Sequence, residues 1–274
     1  MIQKGCLLVF LFIRINVMGQ SVSVMSYNIR LDTEVDGVNQ WKHRSDRVIK
    51  LIQANLPDFL SVQEALDNQV KDLQRMLPDF AVAGVGRDDG KDKGEYSAIF
   101  YRKSRFELVQ QNTFWLSETP EQPGSKSWDA AITRIVTWIR VKEKATGKTF
   151  AVANTHFDHM GVMAREQSAR LIKAKFNAYP DPLILTGDFN CEPGTVPYRM
   201  LTNPEGLTLI DSRPSENQSG TYCGFDVGKM ECRTIDYIFH STDWQVVNYR
   251  VIDSNNGTFY PSDHLPVFVT LKWR

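Results

Sequence analysis

Six short stretches of the sequence carry side chains that bind cations or move protons. They are Ser26-Tyr27-Asn28, Val62-Gln63-Glu64, Asn154-Thr155-His156, Gly187-Asp188-Phe189-Asn190, Ile235-Asp236-Tyr237 and Ser262-Asp263-His264. The sharpest is Leu183–Asn190 (LILTGDFN), where an apolar run meets a Thr-Gly turn signal and then a carboxylate and a carboxamide. Such a run reads as a buried strand whose carboxyl end presents polar groups at a sheet edge, where α/β proteins place ligands. If the other stretches share that edge, four carboxylates (Glu64, Asp188, Asp236, Asp263) converge with His156, His264, Asn28 and Asn190. Carboxylates crowd together only when a cation or protons sit among them. An oxygen-rich donor set without cysteine suits a hard ion, Mg²⁺ or Mn²⁺, with water completing the shell. Such an ion suits phosphoryl transfer to water, because it polarises the phosphate and orients the attacking water. A histidine beside a carboxylate keeps a fixed tautomer and tolerates charge. Singly, each residue has an ordinary reading, with Asn28 in a turn, Asp236 as a cap and His156 in the core. Their joint occurrence carries the assignment.

The elements that must position these groups follow from periodicity. Strands are expected at Ser21–Asn28, Asp58–Gln63, Phe80–Val85, Tyr96–Arg102, Phe106–Leu116 and Ile132–Lys142. More strands follow at Thr149–Asn154, in the apolar run before Asp188, and at Thr234–His240, Trp244–Asp253 and Leu265–Trp273. Helical spacing marks Asn39–Ala54, Leu66–Leu77, Gly161–Ala178 and Pro193–Leu201. The stretch Gly86–Gly94 reads as a solvated hairpin tip without Walker spacing, and Glu118–Asp129 as a long loop able to line a site. Strand-rich halves with helices between them, and no linker or repeat, indicate one α/β unit.

The 274 residues suffice for a full core, and a formal net charge of zero argues against a protein that clings to polyanions by overall charge. Residues 1–19 read as a secretory signal peptide. Lys4 precedes the apolar run Cys6–Ile13, which is too short to span a bilayer, and Val17-Met18-Gly19 supplies the cleavage spacing. The mature chain is then 20–274, periplasmic or secreted, without stable membrane insertion and expected as a monomer. Cys223 and Cys232 flank a loop and either pair in an oxidising compartment or stay as thiols, and Cys191 has no evident mate.

The set SYNIR, VQE, NTH, GDFN, IDYIF and SDHLPV resembles, in that order, the endonuclease/exonuclease/phosphatase superfamily typified by pancreatic deoxyribonuclease. The resemblance runs from Val22 to about Lys272. It implies a four-layer α/β (α+β) sandwich, two mixed sheets face to face with helices outside and a site at one rim. By matching position it implies metal binding by Glu64, with Asn28 beside it and Asp263 nearby. Asp188 and Asn190 would position or deprotonate the water, His264 would contact the phosphate and Asp236 would hold His264. His156 would be a general acid for the leaving oxygen. Arg30 stands where several abasic-site endonucleases carry an aspartate, which puts a second metal there in doubt.

Around these, Arg134, Asn154 and His159 are candidates for binding the substrate, Arg134 as a bidentate partner of phosphate. Trp115 and Trp128 are candidates for stacking on a base or sugar. Two other classes compete. Asn154–His159 (N-x-H-x-D-H) differs by one residue from a metallo-β-lactamase signature and would make a zinc site of His156 and His159. A catalytically dead module gripping phosphorylated ligands needs no intact Glu64, Asp188, Asp236 and His264. No G-x-S-x-G elbow supports a serine hydrolase. The expected activity is hydrolysis of phosphodiesters by direct attack of water, on nucleic acid or a smaller phosphoester. A phosphomonoesterase on sugar or inositol phosphates, or a sphingomyelinase-like lipid phosphodiesterase, is the alternative.

Overall fold

Among the described residues, twelve strands form two six-stranded mixed sheets, and each sheet is built around one parallel pair. The computed structural model describes residues 21–217, 219–228, 231–253 and 255–274. The expected signal peptide and Cys6 lie outside the described residues.

The first sheet has the order β11-β12-β1-β2-β4-β3. It uses β1 (Val22–Asn28), β2 (Phe59–Ala65), β3 (Phe80–Ala83), β4 (Tyr96–Arg102), β11 (Trp244–Val251) and β12 (Val267–Trp273). The second has the order β5-β6-β7-β8-β10-β9. It uses β5 (Phe106–Trp115), β6 (Ile135–Glu143), β7 (Thr149–His156), β8 (Leu183–Asp188), β9 (Leu209–Asp211) and β10 (Asp236–Ser241). Only β1/β2 and β7/β8 run parallel, and a parallel pair needs a crossover. Helix α1 (Trp41–Asn55) supplies the first and α3 (Val162–Asn177) the second. Helices α2 (Asp67–Met76) and α4 (Val196–Thr202) complete the outer layers.

Strand alternation sorts the apolar residues into three slabs, and these make four layers. Val22 and Val24 of β1 face inward, with Phe59, Ile99, Phe150, Val152 and Ile184, between the sheets. Met25 and Tyr27 face outward and meet Val48 and Ile52 of α1 and Leu73 of α2. Ala151 and Ala153 of β7 do the same toward Ile172 and Phe176 of α3 and Leu201 of α4. Burial at about 25 cal/mol per Å² makes these slabs the main stabilising term. Helix α1 stops where Leu56 adopts φ 43° and donates its N–H to the Ile52 carbonyl, directly before Pro57.

The expected fold class is the observed one, with local differences. The strand Leu209–Asp211 and a short 3₁₀ turn at Glu34–Asn39 carried no clear periodicity. The helix expected from Pro193 starts at Val196, because Thr195 N–H bonds the Glu192 carbonyl and closes a turn first. The Gly86–Gly94 stretch is laced back on itself by bonds from Gly86, Arg87 and Asp88 to Lys91, Glu95 and Lys93, and its base reaches the site.

Candidate active site

The carboxyl ends of the four parallel strands deliver the chemistry. In the second sheet the register aligns His156, Asp188 and Asp236 in one row across β7, β8 and β10. Gly187 permits this row, since a Cβ there would collide with the Thr155 carbonyl of β7. Asp188 Oδ1 accepts the Asn190 N–H at 3.0 Å, and Oδ2 accepts Asn28 Nδ2 at 3.0 Å across the gap between the sheets. His156 Nε2 and His264 Nε2 stand 3.4 and 3.7 Å from the same oxygen. Burial and the neighbouring Asp236 charge push Asp188 up to about 7, against the pull of His264.

His264 is held from behind. Its Nδ1 lies 2.8 Å from Asp236 Oδ2, both groups are buried, and the Tyr222 ring lies 4.8 Å from the imidazole. Burial alone would lower the histidine, yet the Asp236 carboxylate reverses this and holds it well above the usual range. The Asp236 carboxylate thus favours the charged form of His264. His156 is the opposite case. Burial, then Arg134 and Arg87, push it well below its usual value, and Nε2 meets Asn190 Nδ2 at 3.0 Å. Asn190 Nδ2 donates, so Nε2 accepts and the His156 proton sits on Nδ1, a tautomer assigned from the network. The expected general acid thus reaches the site, but as a neutral imidazole.

The first sheet supplies Glu64 at a bulge. Pairing between β2 and β4 slips between Val62 and Ala65, and Glu64 takes φ 63°. Bulges re-aim side chains in this way. Its carboxylate accepts Asn28 Nδ2 at 3.0 Å and the Leu31 N–H at 3.1 Å. Asn28 is fully buried and its oxygen accepts the Arg30 N–H. Its NH₂ bridges Glu64 and Asp188 and positions both carboxylates. Beneath them, buried Arg44 ties this edge together through the Ile29, Arg30 and Pro261 carbonyls. Asp263 lines the same cavity, raised by burial and then by Glu64, against His264.

The cavity has a volume of about 400 Å³, within the usual range for small-molecule sites. Arg30, Arg134, His159 and Arg233 line it along with the carboxylates and histidines. Arg134 is buried, and its Nε and Nη1 make no hydrogen bond within the protein. The nearest carboxylates, Glu95 and Asp158, are 3.9 Å away. The guanidinium brings a buried positive charge to the cavity wall. Glu95 was not evident from sequence. It sits in a loop sequence of alternating charge, bonds Arg87 at 2.6 Å and lies 3.9 Å from His156 Nδ1. Arg233 and Tyr222 were also missed, and the Cys223–Cys232 disulfide pins the loop that carries them. Cys191 is a free, buried thiol.

Two expectations fail on geometry. Asn154 does not reach the cavity: its amide donates to Val62 O and Ala98 O, and its oxygen accepts from Gln63 and Thr186. It is a strut between the sheets. The N-x-H-x-D-H stretch is no zinc site, because Asp158 accepts four backbone N–H groups and exposed His159 contacts the Arg134 guanidinium. Trp115 is buried with its indole N–H on the Arg87 carbonyl, and neither it nor Trp128 lines the cavity.

Among the described residues, Glu64, Asp188 and His264 bring one ligand atom each within 4.8 Å of one another. A buried and a partly buried carboxylate held together by one asparagine fit a hard divalent ion. His264, charged by Asp236, is better suited to donate to a phosphoryl oxygen than to ligate.

The sequence model described as the Endonuclease/Exonuclease/phosphatase family matches residues 25–264. The fold superposes on an endonuclease/exonuclease/phosphatase from Bacteroides vulgatus with a TM-score of 0.88 and 38% identity, over 93% of this chain and all of that one. A mannosyl-6-phosphatase from Bacteroides thetaiotaomicron gives a TM-score of 0.85 and 38% identity, over 92% of this chain and all of that one. Nocturnin of Drosophila melanogaster is 26% identical over 82% of this chain, which spans only 41% of that protein.

Proposed function

The chain belongs to the endonuclease/exonuclease/phosphatase family, and from that membership we propose a specific activity, the divalent-metal-dependent hydrolysis of phosphomonoesters on small polyhydroxylated molecules such as sugar phosphates. The observation that carries this reading is where the phosphate-binding groups sit. Arg134, Arg30 and His264 surround a pocket of about 400 Å³ rather than lining a long cationic track. Nucleic acid binding draws most of its affinity from such a track, and the chain has no net charge. A terminal phosphate, by contrast, offers three oxygens to a pocket with several donors. The mannosyl-6-phosphatase at 38% identity supports the same class. This places the monoester ahead of the diester expected first from sequence.

In this reading Glu64 would hold Mg²⁺ or Mn²⁺, with Asp263 beside it and Asp188 facing it. When bound, the ion supplies positive charge to the phosphoryl oxygens and favours an activated water. The protein's own groups do the rest. Arg134, which lines the cavity, sets its positive charge beside the phosphate. His264, kept charged by Asp236, donates from Nε2 to the oxygen that gains charge. Asp188, 3.0 Å from the Asn190 N–H, is the carboxylate placed to take the proton of the attacking water. Asn28 and Asn190 keep Asp188 oriented, and no side chain is alkylated or phosphorylated on the way.

Export through residues 1–19, and a single catalytic domain over 20–274, belong to the same proposal. The Cys223–Cys232 bridge supports it, since disulfides persist in oxidising compartments. No helix among the described residues is long and apolar enough to cross a membrane.

The test is a panel of mannose 6-phosphate, bis-p-nitrophenyl phosphate and a single-stranded oligonucleotide, each with Mg²⁺ and with chelator. The monoester is expected to turn over fastest, with chelation reducing the rate to background and Mg²⁺ or Mn²⁺ restoring it. Glu64→Gln is expected to lower kcat by about 10²-fold or more. A faster diester, or turnover indifferent to chelation, refutes the reading.

A further inference from the structure

A second cavity of about 540 Å³ adjoins the catalytic one and shares Asn190 and Arg233 with it. It lies between the start of α3 and the loop from β8 into α4. Asn190 is a fixed partition. It holds φ 47°, and its amide is bonded to both His156 Nε2 and the Phe157 carbonyl. The two cavities therefore meet at Asn190 and Arg233, next to the position of a phosphate at Asp188.

The lining decides what fits there. Its arginines are already engaged: Arg233 pairs with Glu192 at 2.8 Å, Arg165 donates to the Asp158 carbonyl and Arg199 to the Gly194 carbonyl. Glu166 and Glu192 offset two of the three positive charges, so this is not a track for a polyanion. Val162, Val196 and Pro197 supply apolar surface between these polar groups. Fixed donors and acceptors alternating with C–H surface match a neutral chain that bears hydroxyls on one side and C–H faces on the other.

We infer that the groove is a leaving-group subsite for the second and later sugars of a phosphorylated oligosaccharide, whose phosphate-bearing unit occupies the catalytic cavity. This rests on the phosphomonoesterase reading and names its substrate more narrowly. The oligosaccharide alcohol leaves as the bond between phosphorus and its oxygen breaks. Water supplies the new oxygen on phosphorus, one of its protons returns to the alcohol oxygen, and the glycan stays intact.

The experiment compares mannose 6-phosphate with a mannotriose bearing the same phosphate on its terminal sugar, in the wild type and in Val196→Trp and Glu166→Ala. Neither variant residue lines the catalytic cavity. Wild-type kcat/KM is expected to favour the trisaccharide by about tenfold, mostly through KM, which corresponds to one or two added hydrogen bonds. Each variant is expected to reduce that preference to about threefold or less, with mannose 6-phosphate changed by less than about twofold. Equal kcat/KM for the two substrates in the wild type, or a preference that survives both variants, overturns the subsite. So does an oligonucleotide that competes with the trisaccharide in the wild type but not in Val196→Trp, which would make the groove a polyanion track. Failure of the underlying reading has a different signature, with neither sugar phosphate hydrolysed while a diester is.

Discussion

Asn154 separates a substrate contact from a structural strut, and Asn154→Ala puts a number on the difference. The side chain is fully buried and makes four hydrogen bonds. After truncation Thr186 Oγ1 keeps the Ala153 carbonyl at 2.9 Å, and Gln63 Nε2 keeps Ser26 Oγ at 3.2 Å. The loss falls on the Val62 and Ala98 carbonyls, 2.9 and 3.0 Å from the vanished amide, beside the bulge that aims Glu64. A buried group stripped of its partner costs about 1–3 kcal/mol, so losing the partner of two carbonyls should cost about 2–6 kcal/mol. At about 2–4 °C per kcal/mol for a domain of this size, Tm falls by at least about 4 °C and by up to about 24 °C. Melting by scanning fluorimetry, with and without Mg²⁺, measures that fall. Steady-state rates taken well below the new Tm should keep KM within about threefold, because the side chain does not line the cavity. A KM raised tenfold with an unchanged Tm would refute this and return Asn154 to the substrate.

Two further predictions concern the histidines. Asp236→Asn keeps the shape around His264 but removes the charge 2.8 Å from Nδ1; at an effective dielectric of about 20 that charge is worth up to about 4 kcal/mol, so kcat should fall by about 10²–10³-fold with KM little changed. A kcat within threefold of wild type would exclude His264 as the charged donor. His240 lies far along β10, buried with Nδ1 on the Ser241 carbonyl, and burial holds its pKa below the ordinary value. The unfolded chain then takes up a proton below about pH 6.5 that the folded state resists, so the stability is present above that pH and is lost as pH falls toward the folded pKa. Buried His156 acts in the same direction. His240→Phe should therefore flatten, without abolishing, the decline of Tm between about pH 6.5 and 5, and an identical slope would remove His240 as a contributor.

The sequence made the site legible because its functional side chains flank apolar runs: Glu64 and Asp188 fall at strand ends, Asp236 opens β10 and His264 precedes β12. Glu64, Asp188, Asp236 and His264 could be named on that ground, and all four surround the cavity or support it. The four layers were implied only through the resemblance of six motifs. Periodicity predicts elements, but it does not say which strands pair. The contacts hidden from the sequence share a cause. Asn154 and Asn28 stand at motif positions, yet their surroundings are decided by Gln63, Val62 and Asp188, partners 91 or more residues away. Glu95 was hidden for the converse reason. It follows a stretch rich in Asp and Lys that reads as solvated, and only the fold brings it against Arg134 and His156.

Backbone conformation explains why the site sits where periodicity breaks down. Among the described residues, five that are not glycine have positive φ, and three of them, Arg30, Glu64 and Asn190, border the catalytic cavity. Each costs about 1–3 kcal/mol and persists only where the surroundings over-determine it. Here they do. The Arg30 N–H is held by Asn28, Glu64 by the bulge and the Leu31 N–H, and Asn190 by Asp188 and Phe157. Continuing the strands in extended conformation would alternate these side chains across the sheets instead of gathering them at the rim. The left-handed residues turn the chain there, so that the ends of two separate βαβ units face each other and Asn28 can bridge Glu64 and Asp188. Strain at these three positions and convergence of the carboxylates are one structural arrangement, and relaxing either one would dismantle the other.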